Sequence, residues 1–201
     1  MTTMATPVPI TPTAIGRTMT ADEFLDLPRP EPGWQELIAG VVVGDVHGPG
    51  LDHQLALGEL FAHLHAWTSA APDRGFAVLD IDTGLDERHV LRPDLQWFAA
   101  GRNVRDLGRR SLPVGDLVVE ARSPSTRDIG VKRRLYEQHG AREYWLVDVV
   151  AHTVVQLRRA TPDAPVFDDG VEVGEGEELT STLLPGFAVA VADVFADPTA
   201  S

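Results

Sequence analysis

One stretch of this chain, Asp116 to Asp148, leaves the backbone little choice: DLVVEARSPSTRDIGVKRRLYEQHGAREYWLVD. An apolar run, Leu117 to Val119, delivers an acid, Glu120. Ser123-Pro124-Ser125-Thr126 follows as a turn and helix-cap signal. A helical pattern then carries Asp128, Lys132, Tyr136 and His139 on one face, at spacings that bring successive turns into line. Gly140 is a helix stop, and Tyr144 to Val147 is a second apolar run. Strand, turn, helix and strand make one β-α-β unit. With the elements around it, the unit predicts an α/β or α+β layer fold, a mixed central sheet flanked by helices.

The rest of the chain reads around that unit. Thr20-Ala-Asp-Glu23 is a capping box that should open a short helix, Ala21 to Asp26. Trp34 to Val43 reads as a strand with a bend at Gly40 or Gly44. Leu51 to Thr68 reads as a long helix burying Leu57, Leu60, Phe61, Leu64 and Trp67. His53 stands one turn before that stripe, and His63 and His65 lie off it. Phe76 to Asp82 and His89 to Phe98 read as a hairpin, with a turn over Gly84 to Arg88. Pro93 cannot donate to a ladder and marks an irregular position. Tyr144 to Val149 and Thr153 to Leu157 read as a second hairpin.

Composition narrows the chemistry. Without cysteine there is no disulfide framework, thiolate metal site or cysteine nucleophile, which fits a cytoplasmic protein. No apolar run approaches the roughly 18 residues of a membrane span, so no membrane partner is expected. Residues 1–18 read as a disordered lead-in, 19–196 as a single domain and 197–201 as a tail. The formal net charge of -13 argues against broad electrostatic binding to phosphate backbones. Yet Arg122 to Glu143 holds six basic residues against three acids, a locally cationic segment in an anionic chain. Within it stands Lys132, the chain's only lysine beside sixteen arginines.

Glu36, Asp94, Glu120 and Lys132 form the strongest constellation. Asp94 and Glu120 each stand among apolar neighbours on a predicted strand. A carboxylate is costly to bury there unless paired or metal-bound. Mg²⁺ is commonly held by one or two carboxylates, keeping waters for a substrate phosphate. A nearby lysine can stabilise developing negative charge. The competing reading has Asp94 and Glu120 facing solvent or paired with Arg92 and Arg122. His53 suits a metal ligand, a general base or a structural role. No phosphate-binding glycine loop, zinc helix or serine-nucleophile elbow is present.

These residues carry a resemblance. Pro93-Asp94, Glu120, Ser123 to Thr126, Asp128, Lys132, Tyr136 and the run Glu143-Tyr-Trp-Leu-Val-Asp148 resemble the Uma-type family of putative restriction endonucleases, in the PD-(D/E)XK nuclease superfamily. Glu36 with Gly40, His53 and Leu184-Pro-Gly-Phe187 extend the likeness over most of the chain beyond about Thr20. The resemblance implies a restriction-endonuclease-like core and hydrolysis of DNA phosphodiester bonds with Mg²⁺ or Mn²⁺. It implies Asp94, Glu120 and the main-chain carbonyl near Ala121 as metal ligands and Lys132 as the catalytic lysine, with Glu36 and His53 in support. The superfamily's usual lysine place, two residues after the glutamate, holds Arg122; the lysine stands on the following helix. Ala39 stands where the family often has Asp. A homodimer is expected, because cutting both strands of a duplex calls for two sites. The alternative is a non-catalytic module on the same fold that binds nucleic acid or protein.

Overall fold

The structure is a computed structural model and describes residues 14–29, 33–45, 48–102, 104, 111–122 and 129–198. Ser123 to Thr126 and Asp128, singled out above, lie outside them. The fold is mixed α+β, with four α-helices and a mixed sheet among the described residues. The chain separates into two compact units, residues 1–48 with 86–90, and residues 49–85 with 91–201.

In the smaller unit, helix α1 (Ala21–Leu25) begins at the expected capping box: the Glu23 amide donates to the Thr20 hydroxyl and the Thr20 amide to the Glu23 carboxylate. The helix is one residue shorter than expected, because Asp26 serves as its C-cap. Strands β1 (Trp34–Ile38) and β2 (Val41–Asp45) form an antiparallel hairpin where one long strand was expected. Ala39 (φ 53°) and Gly40 (φ 77°) turn it, both left-handed, a conformation glycine takes without steric cost. The Arg88 guanidinium donates to the Ala39 carbonyl and steadies the strained alanine. Phe24, Leu37, Val42 and Val90 form this unit's core.

The larger unit is built on a six-stranded sheet. Its strands are β3 (Phe76–Leu79), β6 (Leu95–Phe98), β7 (Leu117–Arg122), β8 (Glu143–Asp148), β9 (Thr153–Arg158) and β10 (Asp169–Gly174), in the order β10-β9-β8-β7-β6-β3. Only β7 and β8 run parallel, Glu120 standing beside Leu146; every other pairing is antiparallel. The parallel pair is the expected β-α-β unit, closed by α3 (Ile129–Gln138). Every residue of β7 except Arg122 is buried, as a strand with two covered faces requires. Helix α2 (Leu51–Ser69) buries Leu57, Leu60, Leu64 and Trp67 in the core with Leu95, Trp97, Val119 and Trp145. Phe61 is only partly buried. β11 (Glu178–Thr180), β12 (Ala188–Ala190) and α4 (Val191–Val194) complete this unit, and Leu179, Val189, Val191 and Val194 join the core.

Two sequence expectations change here. Gly84 to Arg88 is not a turn throughout: Thr83–Asp86 form strand β4. The strand expected over His89 to Phe98 is broken into β5 (His89–Leu91) and β6, with Arg92, Pro93 and Asp94 between them. Proline lacks the donor that a continuous ladder needs. The Asp94 carbonyl instead accepts from the amide of Asp80, a left-handed residue (φ 48°) that ends β3 early. The break releases the Asp94 side chain from strict strand alternation. No helix among the described residues is long and apolar enough to cross a membrane.

Candidate active site

Strand register brings the two central acids together. β6 and β7 pair Leu95 with Val119, so one further step along the ladder sets position 94 beside position 120. The Ala121 amide donates to Asp94 Oδ2 at 2.7 Å, which ties the acid before β6 to the residue after Glu120. His53, in the first turn of α2, brings Nε2 to 3.4 Å from the same oxygen. That distance suits an ion pair or a loose contact better than a short hydrogen bond. The Nδ1 of His53 is buried with no hydrogen-bond partner among the described residues.

Glu120 is 4% exposed and Lys132 8%, so each ion needs the other. Lys132 Nζ lies 2.7 Å from Oε1 and 2.8 Å from Oε2 of Glu120. Tyr136, one helical turn beyond Lys132, donates its hydroxyl to Oε1 at 2.6 Å. The i, i+4 spacing on α3 thus puts an ammonium and a phenol on one carboxylate. The pairing with Arg92 and Arg122 entertained for these acids is not what holds them: Arg92 pairs with Asp80 at 2.6 Å, and Arg122 with Asp148 at 3.5 Å.

The helix carrying Lys132 is anchored at its far end. The Arg159 guanidinium donates to the carbonyls of Glu137, Ala141 and Ala164. A cation there satisfies terminal carbonyls and complements the helix dipole. The Phe167 amide donates to the Glu137 carboxylate. The Phe167 ring stacks on Tyr144, and Tyr144 on Tyr136.

Tyr144 is wholly buried, and its hydroxyl has no partner among the described residues. Burial pushes its phenol far above the usual tyrosine range, and the negative charge of Glu120 adds to that. It stays protonated, a donor without an acceptor, which costs stability. Tyr144→Phe should therefore leave the denaturation midpoint unchanged or raise stability by about 1 kcal/mol. A loss of 2 kcal/mol would mean that the hydroxyl is bonded.

Asp94, Glu120, Lys132, His53 and Ala121 all meet at one end of the β6–β7 pair. Glu36 belongs to the other unit, where it is buried on β1 opposite Val43. Tyr136 stood in the sequence as a neighbour on the lysine's helical face and as one residue of the family resemblance; its bond to Glu120 needed the fold. No group of three or more His, Asp and Glu side chains is clustered to hold a metal among the described residues. The carboxylates gathered here for a hard cation are those of Asp94 and Glu120. The Asp94 side chain is 23% exposed, and its Oδ1 makes no hydrogen bond to the described residues. Two carboxylates fit Mg²⁺, which keeps several waters, better than a cation that needs a full protein cage.

Asp94 stands just before β6, Glu120 on β7 and Lys132 on α3 of this mixed α+β fold. The structure matches that of a putative nuclease belonging to DUF820 from Anabaena variabilis, with a TM-score of 0.70 at 21% identity, over 88% of this chain and 97% of the other. The chain belongs to the Uma2 family, described as putative restriction endonuclease, whose family model matches residues 21–192. No curated protein matches the chain.

Proposed function

We propose that this protein is a Mg²⁺-dependent endonuclease that hydrolyses phosphodiester bonds of DNA. The observation that carries the reading is the Asp94 carboxylate bonded to the amide next to Glu120, while Glu120 itself pairs with the chain's only lysine. In this reading Asp94, Glu120 and the Ala121 carbonyl hold the cation. A bound Mg²⁺ would supply Lewis acidity toward the scissile phosphate and a water of lowered pKa. Lys132 neutralises charge that develops on the phosphate. His53, against Asp94, fixes that carboxylate's orientation. The family match supports a nucleic-acid substrate. The reading includes a cytoplasmic homodimer, since two strands call for two sites.

Asp94→Asn is the cleanest variant, because the amide oxygen can still accept from Ala121 while the charge is gone. Supercoiled plasmid with Mg²⁺ should be cut by the unaltered protein. Asp94→Asn, Glu120→Gln and Lys132→Ala should each cut at least about 100-fold more slowly, the scale for removing one electrostatic contributor to a transition state. Circular dichroism checks that each variant is folded. Equal cleavage by all four proteins would refute the assignment.

A second reading, a non-catalytic binding module on the same fold, is favoured by one observation: the Lys132 ammonium already meets both oxygens of Glu120. It predicts metal-independent DNA binding that survives Glu120→Gln, with no cleavage.

A further inference from the structure

We infer that Tyr136 is a positioning residue for the cation site, its phenol fixing the Glu120 carboxylate in the orientation that receives a divalent ion. The inference rests on the metal-binding reading of Asp94 and Glu120. Tyr136 is wholly buried, and its hydroxyl donates to Oε1 of Glu120 at 2.6 Å. Lys132 reaches both oxygens of that carboxylate, so the ammonium does not by itself choose which oxygen faces a cation. A phenol bonds one oxygen and leaves that choice made. A neutral donor also repels an arriving cation far less than a second ammonium would, and it leaves the carboxylate charged.

Tyr136 is itself held on its ring face. Its ring stacks on Tyr144 at 6.2 Å between centroids, and Tyr144 on Phe167 at 6.4 Å. Phe167 is tied through its amide to Glu137, the residue after Tyr136. The phenol is therefore locked from α3, β8 and the segment before β10, three elements that contribute no oxygen of their own to the proposed site. Groups that orient a metal ligand in this way typically change metal affinity 10–100-fold when removed.

The test is Mn²⁺ binding to the full chain without DNA, followed by calorimetry, with the melting temperature of the metal-free protein measured alongside. Tyr136→Phe keeps the ring and its stacking and removes only the hydroxyl. The expected result is Mn²⁺ binding weaker by about 10–100-fold. A lowered melting temperature with unchanged Mn²⁺ affinity would assign Tyr136 a structural role only and overturn the inference. Absence of Mn²⁺ binding by the unaltered protein would overturn the metal-binding reading, and this inference with it. Should Tyr136→Phe not fold, the unaltered sequence labelled with 3-fluorotyrosine replaces it. The chain has only two tyrosines, so the ¹⁹F spectrum has two signals, and Tyr144→Phe assigns them. Saturation with Mg²⁺ should shift the Tyr136 signal, and an unmoved signal would overturn the inference.

Discussion

Lys132→Met should destabilise the protein by roughly 3–5 kcal/mol, the cost of stranding one partner of a buried ion pair. Glu120 and Lys132 are both buried, and the ammonium lies within 2.8 Å of both carboxylate oxygens. With the lysine gone, the carboxylate keeps the Tyr136 hydroxyl, a neutral donor, against a full negative charge. In a domain of this size that cost lowers the melting temperature by about 10 °C. Glu120→Gln alone strands the ammonium instead. The double variant Glu120→Gln/Lys132→Met removes both charges and should lose less than the sum of the two single losses, a coupling of about 1–3 kcal/mol. Additive losses would mean that the two charges do not sense each other. Mg²⁺ adds a diagnostic. If Glu120 is a metal ligand, the cation restores the charge balance that Lys132→Met removes. The variant's melting temperature should then rise more with Mg²⁺ than that of the unaltered protein.

The second large effect sits on the opposite face of the same sheet. Glu143 opens β8 and is 1% exposed. It accepts from the Trp145 indole at 2.6 Å, the Ser181 hydroxyl at 2.6 Å and the Gln156 amide at 3.3 Å. Glu143→Leu leaves those donors with one acceptor fewer, and it should cost roughly 2–4 kcal/mol at 1–3 kcal/mol per stranded group. Glu143→Gln keeps an oxygen for the indole and places an amide against Ser181, so its cost should be small. Burial raises the Glu143 pKa above the usual carboxylate value, and its hydrogen bonds only partly offset that. The folded state therefore holds the proton more tightly than the unfolded chain does. The stability this gives is fully present below the unfolded value, about 4.3, and is lost as pH rises through the folded pKa. Relative to Glu143→Gln, the unaltered protein should be most stable in mild acid and lose ground toward neutrality. A difference independent of pH between 4 and 7 would show that Glu143 does not titrate differently on folding.

These two acids illustrate what the sequence displayed and what it hid. Glu120 stood out because an acid ends an apolar strand and a lone lysine follows on the next helix. Glu143 entered the sequence reading as the start of the run through Asp148 and as one acid of the cationic segment, not as a buried hub. Its three partners lie 2, 13 and 38 positions away, and nothing local announces such a cluster. The break at Arg92 to Asp94 was half visible: Pro93 marked irregularity, but not that Asp94 would turn onto the Ala121 amide. Glu36 was grouped with the other acids by sequence pattern, and the fold puts it in the other compact unit.

The sequence by itself determined the β-α-β unit, the capping box, the long helix and the family. These depend on residue periodicity, capping chemistry and motif order, all local in the chain. Tertiary structure alone decided that Lys132 grips both oxygens of Glu120, that Tyr136 bonds one of them, and that Asp94 meets the next amide along. Those contacts join residues 12, 16 and 27 positions apart. Such contacts depend on strand register, helix rotation and the burial that forces charges to find partners. Each is a property of packed elements, which no single segment encodes.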